Sequence, residues 1–173
     1  MIMTDRICFL ASRYTALARR LELATPLSLL LFRLWVALDF WRAGLVKWAD
    51  PAGTLALFQS EYHVPLLPPE WAAPLGTLIE LFFPLLLALG LTGRATAAFL
   101  FVYNIIAVIS YPDLWPHGLW HDFWQGGFVD HKVWGMLLLA LTFAGPGALS
   151  LDALLGRWAR RRLLSGQARA AGG

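Results

Sequence analysis

Cysteine is nearly missing from this 173-residue chain, where Cys8 stands alone. One thiol excludes an internal disulfide and any multi-cysteine zinc or iron–sulfur centre, and Cys8 reads as a lone, inert residue. Charge is scarce as well, at 14% of residues. There is no glycine-rich phosphate loop, no dinucleotide fingerprint after a strand and no serine nucleophile elbow. No histidine falls inside a long apolar run. His63, His117, His121 and His131 all lie in or at the edge of the segments between runs, so a haem in the middle of a bundle has no axial ligands. What the chain has instead is apolar surface. Its residues are 58% hydrophobic and its mean hydropathy is +0.59. Nine tryptophans suit a protein with aromatic belts at the membrane interfaces. A chain of this length is expected to form one helical bundle without a second soluble domain.

The run Ala72–Leu91 is twenty residues long and holds one formal charge, Glu80. At about 1.5 Å per residue it crosses a hydrocarbon layer about 30 Å thick. A carboxylate at that depth costs about 2.5–3.5 kcal/mol, so it is expected to face the bundle interior and find a partner. Pro84, four residues on, offers no N–H to the Glu80 carbonyl. One turn therefore holds an acid and an unpaired acceptor, both needing polar company.

Before this run, Ile7, Leu10, Tyr14, Leu17 and Leu21 make a helical stripe, with Arg6, Arg13, Arg19 and Arg20 largely off it. Asp5–Leu23 thus reads as an amphipathic helix on an anionic membrane surface; a solvated basic helix is the alternative. Pro26 opens a second apolar run that ends near Lys47–Trp48 and carries Arg33, Asp39 and Arg42. Asp39 and Arg42 share a face and can pair within the helix, while Arg33, close to the start, can snorkel outward. Asp50–Trp71 is proline-rich and predicts a loop with a short helix over Thr54–Tyr62. Gly90 and Gly93 make a tight turn easy at LTGR. Ala95–Tyr111 is a third span with Tyr103 and Asn104 near its middle, ended by Pro112. Asp113–Asp130 is a second loop, rich in Trp, His and Gly. Val133 to Leu149 is a short fourth span, and Ser150 and Asp152 start a last helix. There Leu151, Leu154, Leu155 and Trp158 line up beside Arg157, Arg160, Arg161 and Arg162. The tail after Ser165 is expected to be disordered. Three regions follow: an amphipathic segment over 1–25, a four-span membrane domain over 26–149, and a basic helix and tail over 150–173.

Ten arginines lie in the two tails and the Arg94 turn, whereas the two long loops hold only Lys47 and Lys132 at their edges. The positive-inside rule then puts both termini in the cytoplasm and the long loops outside. Arginines beside apolar stripes fit anionic lipid rather than nucleic acid. Counting from the outer ends puts Glu80, Asp39 and Arg42 at one level in the outer half of the membrane. Arg33, Asp39, Arg42 and Glu80 sum to zero charge, and Asn104 can add a donor and an acceptor. One reading is a polar pocket for a small head group, such as a quinone, or for proton relay. The other is a structural ion-pair cluster that fixes helix register. His117 and His121, spaced i, i+4, can share a side of a helix and suggest a metal site with Asp122 or Asp130. The bland alternative is an interfacial helix resting on head groups.

Three features resemble the DoxX family of small bacterial four-span membrane proteins. Arg33, Gly44 and Lys47 reproduce its R…G..K spacing. Glu80 with the leucine-rich stretch to LTGR is similar to its acid and Gly…Arg turn. GPGALSLD, Gly145 to Asp152, is like its GPG..S.D ending. The likeness covers about Leu29–Asp152. Ala37 and Ala43 stand where Gly and often His occur in the family, Asp39 and Arg42 are additional charges, and the Asp113–Asp130 loop is longer and more aromatic. The resemblance implies a multi-pass protein of the bacterial inner membrane, associated with quinone-linked redox or oxidative and metal stress. As a redox protein it would be a subunit of an oxidoreductase, not a stand-alone enzyme. The expectation is an all-α, four-helix transmembrane bundle with amphipathic interfacial helices at both ends. Quinone is its one candidate cofactor, and its partners are the lipid bilayer, membrane or periplasmic redox proteins and a possible second copy. The competing expectation is a non-catalytic anchor or assembly factor whose His- and Trp-rich outer loops hold a periplasmic partner or a metal.

Overall fold

The computed structural model describes the backbone of residues 2–171 and the side chains of residues 6–165. Every regular element described is helical. The order is α1 (Ile2–Glu22), α2 (Thr25–Ala49), α3 (Pro51–Ser60), α4 (Pro69–Leu89), α5 (Gly93–Ser110), a 3-10 turn at Pro112–Leu114, α6 (Leu119–Gln125), α7 (Val129–Ala144) and α8 (Leu151–Ala171). Prolines open α2, α3 and α4 in their first turns, where a missing N–H costs nothing. Asp50 ends α2 and caps α3, its side chain accepting the Gly53 N–H at 2.9 Å.

Helices α2, α4, α5 and α7 close into a ring: α2 packs on α4 and α7, and α5 packs on α7 and α4. Val36, Leu87, Leu100, Leu138 and Leu141 fill its centre. The outward faces are apolar too, with Trp35, Phe82, Val102, Met136 and Phe143 all exposed. A surface of that kind belongs in hydrocarbon. The chain is thus an all-α membrane bundle. By length and composition α4 and α5 can each cross a bilayer alone. The number rises to four if α1–α2, bent by 40°, and α6–α7, bent by 84°, each make one span. Helix α2 falls short alone because of Arg33, Asp39, Arg42 and Lys47, and α7 because it has only 16 residues.

Several boundaries differ from the sequence reading. The short helix sits at Pro51–Ser60, ahead of Thr54–Tyr62, because Asp50 and Pro51 start it earlier. The fourth span stops at Ala144, not Leu149, since Gly145 takes φ +86° and Pro146 follows. Part of the Asp113–Asp130 loop is helical, and the α8 backbone continues past Ser165 to Ala171.

Arg33 and the segment after α7 lock the end of the bundle where α4 turns into α5, here called the basic end. Arg33 is fully buried. It does not snorkel outward but donates to the carbonyls of Ala88 at 3.2 Å and Leu149 at 2.5 Å. Unpaired carbonyls and the negative end of the α4 dipole face its charge there, while its Nε is buried with no hydrogen-bond partner among the described residues. Gly90 takes φ +66°, and a Cβ on it would lie 2.6 Å from the Ser150 Cβ and 2.0 Å from an Arg33 nitrogen, so a side chain there is strained. Arg94 donates to the carbonyls of Thr142, Phe143 and Ala144 at the end of α7. The Asp152 carboxylate accepts the N–H groups of Thr92 and Gly93 at 2.9 and 2.8 Å, capping α5 from another helix.

Candidate ligand cavity between α4 and α5

At the opposite, aromatic end, α4 and α5 part around a cavity of about 430 Å³. That size is ordinary for a small-molecule site. Toward the basic end the stacked rings of Phe83 and Phe99, 4.0 Å apart, close the gap. At the aromatic end Tyr62 forms a roof, sandwiched between Phe58 at 4.6 Å and Tyr111 at 4.7 Å. Burial, the charge of Glu80 and then Tyr111 and Glu61 push the Tyr62 hydroxyl up to about 12. Leu75 and Val102 line the cavity yet remain 46% and 54% exposed on the outside of the bundle. The mouth therefore opens sideways between α4 and α5, where the lipid lies.

Glu80 stands at the deep end of this cavity. Lys47 donates to its Oε2 at 2.5 Å, and the Tyr103 hydroxyl donates to its Oε1 at 2.8 Å. Both carboxylate oxygens are thus paired, as a buried charge requires. The backbone permits this because Gly44 lets α2 lie directly on α4: a Cβ there would sit 2.9 Å from the Glu80 carbonyl carbon. Pro84 leaves that same carbonyl without its helical donor, and the bare backbone of Gly44 covers it.

The five residues expected to form a pocket are distributed over three places. Glu80 and Asp39 line the cavity; Arg33, Arg42 and Asn104 do not. Arg33 lies in the lock at the basic end, against Ala88, which is about 12 Å along α4 from Glu80 at 1.5 Å per residue. Among the described residues Arg42 pairs with Asp39 alone, at 3.8 Å, with its own side chain 72% exposed. Asp39 also accepts the Trp134 Nε1–H at 3.0 Å. Asn104 donates to the His131 carbonyl at 2.9 Å and faces the His131 Nδ1 at 2.8 Å, holding that imidazole at the cavity wall. The side chains that hydrogen-bond Glu80 are Lys47 and Tyr103, neither of which the sequence reading placed in the pocket. Their signal was present: Lys47 belongs to the R…G..K spacing, and Tyr103 lies beside Asn104. One further polar group is at the wall. Ser110 Oγ is buried and makes no hydrogen bond among the described residues.

His117, just ahead of the short helix α6, and His121, within it, do come together beside Asp122. Burial alone would raise the Asp122 pKa; the His117 N–H and the two imidazoles outweigh it and hold that carboxyl below its usual value. Cys8 is exposed and free.

The fold and cavity define a small helical membrane protein with a polar cluster at the end of a lipid-facing pocket. The DoxX family model matches residues 28–113, a stretch holding Arg33, Gly44, Lys47, Glu80 and Tyr103. A Haemophilus influenzae protein described as uncharacterized is 31% identical over 137 residues, which cover 77% of this chain and 86% of that relative. The chain belongs to the DoxX family. No solved structure matches it.

Proposed function

We propose that the protein is a membrane component of a quinone-linked redox or oxidative-stress system, and that the α4–α5 cavity holds the quinone head group. One observation carries the reading: a Lys–Glu–Tyr cluster closes an apolar cavity whose mouth faces lipid. The Lys47 ammonium has three N–H donors and spends one on Glu80, so two remain for a carbonyl oxygen of the ring. Phe40, Phe99 and Trp134 offer apolar contact for the ring, and the mouth lets an isoprenoid tail run into the bilayer. Asp39 stands at the cavity wall as a second acid; Arg33, Arg42 and Asn104 act by holding the bundle and its neighbours in place. The excess of arginine at the two tails and the Arg94 turn supports an inner-membrane location with both termini cytoplasmic, which puts the cavity in the outer leaflet.

The test is quinone affinity. A short-chain benzoquinone is titrated into the protein in lipid nanodiscs, with tryptophan quenching as the readout. Tyr103→Phe, which keeps the ring and removes the hydroxyl, weakens binding about 10-fold, equivalent to about 1.4 kcal/mol. Saturable binding that ignores both Tyr103→Phe and Lys47→Met contradicts the reading.

A second reading is a non-catalytic anchor whose outer loops hold a periplasmic partner. It is favoured by Trp120 and Trp124, which project from α6 at 74% and 76% exposure. Aromatic residues so exposed are common anchors at interfaces.

A further inference from the structure

A second cluster, outside the cavity, lies in the segment between α5 and α7. His117 precedes the bend at Gly118, whose φ is +102°, and His121 and Asp122 follow in α6. Asp122 Oδ1 is 3.3 Å from His117 Nδ1 and 3.1 Å from His121 Nδ1. One ligand atom from each residue falls within 4.8 Å of the others.

The carboxylate is fixed by the backbone of its own loop. Asp122 Oδ2 accepts the His117 N–H at 2.9 Å, and the Asp122 carbonyl accepts the Gly127 N–H at 2.7 Å. Gly127 packs so closely that a Cβ on it would be 2.6 Å from the Asp122 Cβ. Asp122 itself is only 6% exposed, while the His117 and His121 side chains are 72% and 57% exposed. A buried, preset acid thus faces two open imidazoles, and both turn the same nitrogen toward one of its oxygens. Neither ring needs to move far to present a lone pair there in place of a proton.

We propose that His117 Nδ1, His121 Nδ1 and an Asp122 carboxylate oxygen form a binding site for a borderline divalent transition-metal ion, Zn²⁺ or Cu²⁺, at the aromatic surface of the protein. Two imidazoles and one carboxylate suit such ions, whereas Mg²⁺ and Ca²⁺ prefer all-oxygen shells. The remaining coordination positions open to water. An ion held by Nδ1 of a ring needs the tautomer that carries its proton on Nε2. The site is independent of the quinone reading, since none of its three residues lines the cavity.

The experiment uses the full-length protein in detergent, purified without a polyhistidine tag and stripped of metal. Zn²⁺ alone is titrated in competition with a chromophoric chelator. One ion per chain is expected, bound at least 10-fold more weakly by His121→Ala and unchanged by His63→Ala, which alters a different outer segment. The Cu²⁺-loaded protein is expected to show two nitrogen ligands by electron paramagnetic resonance, and one in His121→Ala. Asp122→Asn is expected to weaken Zn²⁺ as well. Because that change can also loosen the loop, the nitrogen count in His121→Ala decides. Failure to bind a stoichiometric ion, or a nitrogen count that does not change in His121→Ala, overturns the proposal.

Discussion

Replacing Lys47 by methionine is the sharpest perturbation of the charge arrangement. Methionine keeps most of the length and apolar stem of lysine but leaves the Glu80 carboxylate with Tyr103 as its one remaining partner. The Glu80 and Lys47 side chains are 9% and 17% exposed, so the pair is largely removed from water. Breaking a buried pair on one side costs about 3–5 kcal/mol. The residual exposure of Lys47 and the adjoining cavity put this case at the lower limit, about 3 kcal/mol. Changing both partners, Lys47→Met with Glu80→Gln, removes the uncompensated charge while Tyr103 can still donate to the amide oxygen. The double variant should return to within about 1 kcal/mol of the starting protein. Unfolding in mixed micelles, followed by tryptophan fluorescence, measures both. A loss below about 1 kcal/mol for the single variant, or a double variant no more stable than the single, refutes the reasoning.

Three further outcomes follow from the geometry. Gly44→Ala gains about 1 kcal/mol of helix propensity but presses a methyl onto the Glu80 backbone, where overpacking costs about 1–3 kcal/mol; the net result in the same assay is a less stable protein. Asp152→Ala leaves the Thr92 and Gly93 amides without their acceptor, costs about 1–2 kcal/mol, and speeds hydrogen exchange at the start of α5 while sparing α2. Tyr62, raised from an ordinary 10.0 to about 12 by burial and the charge of Glu80, favours its protonated form in the folded state. Its contribution to stability is therefore complete below pH 10 and is lost as pH rises toward 12. An ultraviolet titration near 295 nm should show tyrosine signal appearing late, near pH 12, and Tyr62→Phe should remove one residue's share of it.

Much of the bundle was legible because two simple rules act without tertiary help. Long apolar runs become helices in lipid, and proline or glycine ends them, as Pro112 and Gly145 do. Glu80 was legible as well, since one acid in twenty apolar residues has to turn inward. Its partner was harder to find. Counting residues from the helix ends gives the depth of a Cα, but the lysine ammonium sits at the end of four methylenes, and Lys47 reaches down from the end of α2 to Glu80. Arg33 was drawn into the same charge sum, yet it caps carbonyls that exist only once α4 ends at Gly90 and the segment after α7 folds back. The role of Asp152 was hidden for a related reason: it caps α5, roughly 60 residues earlier in the chain, rather than its own helix. His117 and His121 did come together, but across the Gly118 bend and not as neighbours on one helix, and the buried position of Asp122 depends on the turn through Gly126 and Gly127, where Gly126 has φ +97°. No stripe or spacing encodes that turn.

The central claim is that an amphiphile enters between α4 and α5 and reaches Glu80, Lys47 and Tyr103. Photolabelling with an azido-quinone in nanodiscs, read by peptide mass spectrometry, tests it most directly. The account predicts adducts on the cavity walls, at residues such as Leu75, Phe99 and Val102, suppressed by excess unlabelled quinone and reduced in Tyr103→Phe. Adducts confined to the outer faces of α1 or α8, or labelling that excess quinone leaves unchanged, would contradict it.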